Sequence, residues 1–145
     1  MIEPFVITQE DSDVTQADTS AGVMGDWFSY RVPLGQSIIL RPSDVLCVDC
    51  DNTSAAVCSN VGQIKLEIRD ATGSDKKPVL GPMLYGSFAA SGVGEFKDDD
   101  LMNHLQISGE IEVKEREYIV LMVDNPTTGA DKDTSFFSLR THRKR

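Results

Sequence analysis

The chain has 145 residues, 40% apolar and 26% charged, with a formal net charge of −9. That length supports one domain with a real core. The acidic balance excludes direct nucleic-acid binding by the main body, which sets up no phosphate-attracting field. No apolar run approaches the roughly 20 residues of a membrane span, and no secretory leader opens the chain, so no membrane partner is expected and a cytosol is the expected place of synthesis.

Charge is unevenly placed. Residues 1–30 hold Glu3, Glu10, Asp11, Asp13, Asp18 and Asp26 but no Lys or Arg, whereas Arg140, Arg143, Lys144 and Arg145 crowd the end. Pro4 precedes a short apolar anchor, Phe5-Val6-Ile7, and residues 8–26 are polar without a period of two or 3.6. Residues 1–26 therefore read as an extended acidic arm, with the body beginning at Trp27.

Phe28 to Val32 alternates and predicts a first strand, Ser37–Leu40 a second and Val45–Val48 a third, separated by Pro33-Leu34-Gly35 and Arg41-Pro42-Ser43-Asp44. A polar loop over 49–62 holds Cys50 and Cys58. Gln63 to Arg69 alternates again and ends at a turn, Asp70 to Asp75. Val79–Phe88 is interrupted by Gly81-Pro82 and Gly86, which suits an irregular edge segment with a bulge. Asp98 to His104 reads as one helical turn.

Leu105–Val113 alternates strictly, Lys114 to Glu117 forms a charged tip, and Tyr118–Val123 is an unbroken apolar run, so 105–125 reads as a central β-hairpin whose second strand is interior. Thr134–Thr141 closes a body spanning 27–141, and 142–145 reads as a basic C-terminal tail. Short strands with Gly, Pro and Asp turns predict an all-β fold, an antiparallel β-sandwich of jelly-roll-like topology with an extended N-terminal arm.

The motifs point away from chemistry. Cys47-Val48-Asp49-Cys50 with Cys58 offers three thiolates, one short of the usual structural zinc set. Alternation puts Val45 and Cys47 inward, and the open readings are a buried Cys47 with two loop thiols, a Cys50–Cys58 disulfide, or a metal. Asp98-Asp99-Asp100, with Glu95 and Asp70, could gather calcium, but the spacing is no EF-hand loop, and a solvated acidic turn is the favoured reading. His104 is the one candidate general base inside the body, and no G-x-S-x-G elbow surrounds any serine. No enzyme activity, catalytic residue, cofactor or metal is expected. Trp27, Phe28 and Tyr30 read either as an exposed platform for sugar stacking or as core with Trp27 capping one end. The interface set is Phe5, Val6, Ile7, Trp27, Arg143, Lys144 and Arg145.

With an arm (residues 1–26, containing Pro4-Phe5-Val6-Ile7), a compact body running from Trp27-Phe28-Ser29-Tyr30 to Phe136-Phe137-Ser138-Leu139, and no active site, the chain resembles the head decoration (cement) proteins of tailed bacteriophages. The resemblance covers the whole build and rests on no motif. It implies a homo-oligomer, commonly a trimer, on the outer capsid surface of the virion, bound to the major capsid protein and stabilising the lattice. The arm would dock by strand addition to a neighbour's sheet edge. A chain lacking residues 1–8 would then stay folded and lose its hold on capsids. The competing expectation is a carbohydrate-binding or adhesive sandwich from a fibre or an appended domain.

Overall fold

The computed structural model describes residues 1–12, 24–52, 61–87, 102–124 and 132–145. Among the described residues ten strands follow one another: β1 (Ile2–Thr8), β2 (Met24–Arg31), β3 (Ser37–Leu40), β4 (Val45–Asn52), β5 (Val61–Arg69), β6 (Lys77–Ser87), β7 (Met102–His104), β8 (Ile111–Val113), β9 (Tyr118–Asp124) and β10 (Lys132–Lys144). A short 3-10 turn covers Gln9–Asp11. Among the described residues no helix is long and apolar enough to cross a membrane. The fold is an all-β antiparallel sandwich, as the alternation predicts.

The first sheet runs β7-β4-β10-β3-β8, with β1 on the other side of β10, and the second runs β2-β9-β5-β6. β3 and β4 are two halves of one interrupted strand. Ile39 stands opposite His142 and Val45 opposite Arg140, so two steps along β10 match six on its neighbour. The four surplus residues, Arg41 to Asp44, form the break, with Pro42 and Ser43 exposed and Asp44 buried. Pro42 has no N–H for a ladder, which is why the break falls there.

Across that strand, β8 pairs with β3 and β7 with β4, forming a second interrupted strand. Counting each interrupted pair once leaves eight strands joined as β1·β10, β2·β9, (β3+β4)·(β8+β7) and β5·β6. This is a ladder of hairpins rolled into two sheets, the jelly-roll connectivity.

The core lies between the sheets. Leu40, Leu46, Val113 and Leu139 from the first meet Trp27, Phe28, Leu66, Leu80 and Leu121 from the second. Phe28 stacks on Phe137 with ring centroids 4.8 Å apart. β9 is an interior strand between β2 and β5, as its apolar run predicts, and β6 is the edge strand with shifts of register opposite β5. Gly81 has φ +74, and a Cβ there would lie 2.5 Å from the Ile64 carbonyl oxygen, so only glycine fits that bend.

Several expectations are corrected. The 105–125 hairpin does not form, because β8 belongs to the first sheet and β9 to the second. Lys114 to Glu117 is a crossing between sheets, tied to the β2–β3 crossing by Arg116 N–H to the Val32 carbonyl (2.8 Å) and Val32 N–H to the Glu117 carbonyl (2.9 Å). A turn between two apolar stretches serves a hairpin or a crossing equally, so pattern alone does not separate them. Residues 105–110 are not ladder strand either. Gln106 N–H donates to the Val79 carbonyl (2.7 Å) and its side-chain oxygen accepts from Gly81 N–H (2.9 Å), so the segment reaches over to β6.

Met102–His104 is strand, not a helical turn, and Asp98 to Asp100 lie outside the described residues. In β4 the inward residues are Leu46 and Val48, leaving Cys47 half-exposed on the outer face. The backbone of Cys50 is strand rather than loop.

The arm and the tail are corrected as well. Residues 2–8 are β1, paired with β10 from Ile2 opposite Lys144 to Thr8 opposite Ser138, so 142–144 finish a strand. Ile7 is 1% exposed, a core residue. Of the rest of the arm, Gln9–Asp11 form the 3-10 turn, 13–23 lie outside the described residues, and strand β2 already begins at Met24. Phe5-Val6-Ile7 does add as a strand to a sheet edge, but the edge is that of its own β10.

Removing residues 1–8 is therefore expected to abolish cooperative unfolding rather than leave an intact body. Ile7→Ala should lower stability by about 3 kcal/mol in a denaturant titration, the usual cost of emptying a filled core site.

Candidate functional site

In β1 successive side chains face opposite sides of the sheet. Glu3, Phe5 and Ile7 turn inward. Phe5 packs against Tyr30 of the second sheet, ring centroids 6.2 Å apart. The Arg143 guanidinium lies 4.3 Å from the Phe5 ring centroid and donates to Glu3 Oε1 from Nε (3.0 Å) and Nη2 (2.8 Å). Arg145 Nε lies 3.0 Å from the same oxygen. The hydrogen bond from Arg143, with the charges of Arg145 and Arg143, holds the Glu3 carboxyl below its ordinary value.

The other side is different. Ile2, Pro4 and Val6 turn outward, with Ile2 47% and Val6 46% exposed. Their register partners on β10 are Lys144, His142 and Arg140. An apolar row thus lies beside a row with two cations, Lys144 and Arg140, on one sheet face. Among the described residues neither Arg140 nor Lys144 makes an ion pair. The next row holds Ser37, Ile39 and Val45, and Glu112 stands beyond it on β8. His142 Nδ1 is 3.9 Å from the buried Asp44 carboxylate.

The outer face of the second sheet neutralises itself. Arg69 forms a two-pronged bond to Asp26, both contacts 2.8 Å, and its Nε is 3.4 Å from Glu67 Oε2. Lys65 Nζ lies 3.5 Å from Glu67 Oε1, and Glu67 is 0% exposed. The hydrogen bond from Arg69 pulls the Asp26 carboxyl down, and the same bond pushes the Arg69 guanidinium up. The nearby cleft of about 130 Å³, lined by Ser29, Arg69, Thr72, Gly73, Tyr118 and Val120, has its guanidinium already engaged in this way.

The candidate chemistry groups are placed apart. His104 is exposed on β7 opposite Val45. Asp70 accepts from Thr72 N–H (2.9 Å), Thr72 Oγ1–H (2.7 Å) and Ser74 N–H (2.9 Å), so its carboxylate organises its own loop. Among the described residues no three His, Cys, Asp or Glu side chains gather as a metal set. Cys58 and Glu95 lie outside the described residues.

Of the residues read as an interface, the structure brings Phe5, Val6, Arg143, Lys144 and Arg145 together where β1 meets the end of β10. Ile7 and Trp27 are corrected to core, each 1% exposed, because both sit on inward positions of their strands. Ile2, Pro4, Arg140 and His142 belong to the surface and were not in the set. Their signal was the period of two in Ile2-Glu3-Pro4-Phe5-Val6 and in Arg140-Thr141-His142-Arg143-Lys144, once both segments are taken as strands rather than free ends. No family model matches this chain, and no curated protein sequence matches it.

The Asp26–Arg69 pair carries a pH signature. A carboxyl lowered in the fold stabilises it above the unfolded value of about 3.9, and that stabilisation is lost as pH falls through the lower folded value. Asp26→Asn is expected to cost about 1 kcal/mol near pH 7, since the carboxylate is partly exposed. The gap from wild type should close in acid, as followed by thermal melts from neutral pH to about pH 2.

Proposed function

We propose that this chain is a structural protein of a virus particle, a decoration protein that seats on the outside of a capsid lattice through the β1–β10 face. The observation that carries the reading is the exposed Ile2-Pro4-Val6 row beside Arg140 and Lys144, on a chain whose net charge is −9. An apolar strip rimmed by charge of the minority sign is what a protein surface meant for another protein presents. The jelly-roll connectivity supports it, since that architecture hosts shell proteins as well as lectins.

A brace of this kind binds the assembled lattice and not the free subunit, so its binding free energy adds to shell stability by mass action. Seating as a trimer, the stoichiometry the resemblance implies, raises the avidity of each face through effective concentration. The face does this without an arm, because residues 2–8 are committed to β10.

The test is the native mass of the species recovered from the cells that make the chain, followed by electron microscopy. Recovery in a large shell is expected. The double variant Ile2→Asp/Val6→Asp should keep the wild-type melting temperature and drop out of the shell fraction. Recovery only as a 15.9 kDa monomer, or a saturable and specific signal on a glycan array, would overturn the reading.

A further inference from the structure

We propose that the β1–β10 face receives an acidic, apolar strip of a partner protein laid flat across its side chains, while the free edge of β1 is closed to strand addition. This rests on reading that face as a docking surface. It does not depend on the partner's being a capsid.

The hydrogen-bond parity of β1 shows why the edge is closed. Arg145 N–H donates to the Met1 carbonyl, which sets residues 1, 3, 5 and 7 as those bonded to β10. The parity continues past the strand, where Phe137 N–H donates to Gln9 Oε1 at 3.2 Å. The backbone groups of Ile2, Pro4, Val6 and Thr8 therefore point to the free edge. Pro4 has no N–H to offer, and the Thr8 N–H is already given to Asp11 Oδ2 at 2.9 Å. Only Ile2 and Val6 remain as donors, about 14 Å apart, twice the spacing at which an incoming antiparallel strand seeks them. A proline whose missing donor faces solvent is a known guard of sheet edges.

What remains available is the face. Its cations, Arg140 and Lys144, lie four residues apart on β10, about 14 Å, parallel to the apolar row. Arg143, between them in sequence, points inward and is neutralised by Glu3. An occupant that matches both rows carries carboxylates in register with an apolar stripe.

A second copy related by a two-fold axis does not fit, because these two rows would then set a cationic row against a cationic or an apolar one, with no row of carboxylates to meet it. A single-stranded nucleic acid would meet the cations but would leave the Ile2-Pro4-Val6 row without apolar cover.

The test uses the full chain and a synthetic peptide alternating glutamate with valine, read by fluorescence anisotropy. Binding is expected, weaker at high salt. It should fall about tenfold or more in Arg140→Glu/Lys144→Glu and in Ile2→Asp/Val6→Asp. A peptide N-methylated at alternate residues should bind within about twofold of the parent, since no backbone ladder forms. No binding by the parent peptide, or loss on N-methylation, would overturn the proposal. So would tighter binding to oligothymidylate or to vesicles containing phosphatidylserine. Failure here with the chain still recovered in a shell rejects the acidic partner alone, and monomeric recovery with peptide binding intact rejects the shell alone.

Discussion

The Asp44 carboxylate is the group on which the architecture depends. β10 is a 13-residue strand flanked by β1 on one side and by both β3 and β4 on the other. One long strand can serve two shorter ones only if the surplus chain is gathered at a single point. That point is Arg41 to Asp44, closed by Asp44 N–H to the Arg41 carbonyl at 3.0 Å. The Asp44 side chain is almost wholly buried, and it accepts from Arg41 N–H (2.9 Å) and from the Thr141 hydroxyl (2.7 Å). Thr141 is the β10 residue opposite the break, so the partner sits where the carboxylate needs one. Left unpaired, such a group would cost several kcal/mol, enough to matter in a fold of ordinary stability.

The consequence reaches the second sheet. The Asp44 carbonyl accepts Leu105 N–H at 3.2 Å, which starts the excursion over 105–110, and Arg41 meets Glu110 at 3.1 Å where that excursion ends. Between those two ties Gln106 bonds to β6 through backbone and side chain. A break in one sheet thereby supplies cover for the edge of the other. The edges formed by β2 and β1 are managed in the same spirit: Ser29 N–H donates to Ser12 Oγ at 3.2 Å, and β1 carries Pro4. Capped edges leave faces as the surfaces for association.

The two outer faces then divide the electrostatics. On the second sheet Asp26, Arg69, Glu67 and Lys65 form a run of ion pairs, and the buried Glu67 has cations on both sides. On the first sheet the alternation of β10 sorts its charges. Arg143 falls inward against Glu3 and Phe5, while Arg140 and Lys144 fall outward beside Ile2 and Val6. Among its described residues an acidic protein thus shows a cationic and apolar face, created by the parity of a single strand.

The alternating segments determined by themselves that this chain is all β, and they located β3, β5, β9 and much of β10. Strand formation depends on side-chain period and turn chemistry, which are local. The apolar run at 118–123 also determined that β9 is interior, since only an interior strand hides Ile119, Val120 and Leu121 together. What the sequence left open was which strand pairs with which. Lys114 to Glu117 reads alike as hairpin tip or sheet crossing, and 105–110 alternates whether it joins a ladder or bridges two sheets. The polar composition near the N-terminus and the basic end looked like free tails, because nothing local shows that Ile2–Thr8 and Ser138–Lys144 are each other's partners across nearly the whole chain. Only the tertiary structure decided that pairing, and with it the candidate surface, because a contact between the first and last strands is formed by closure of the sandwich and not by either segment alone.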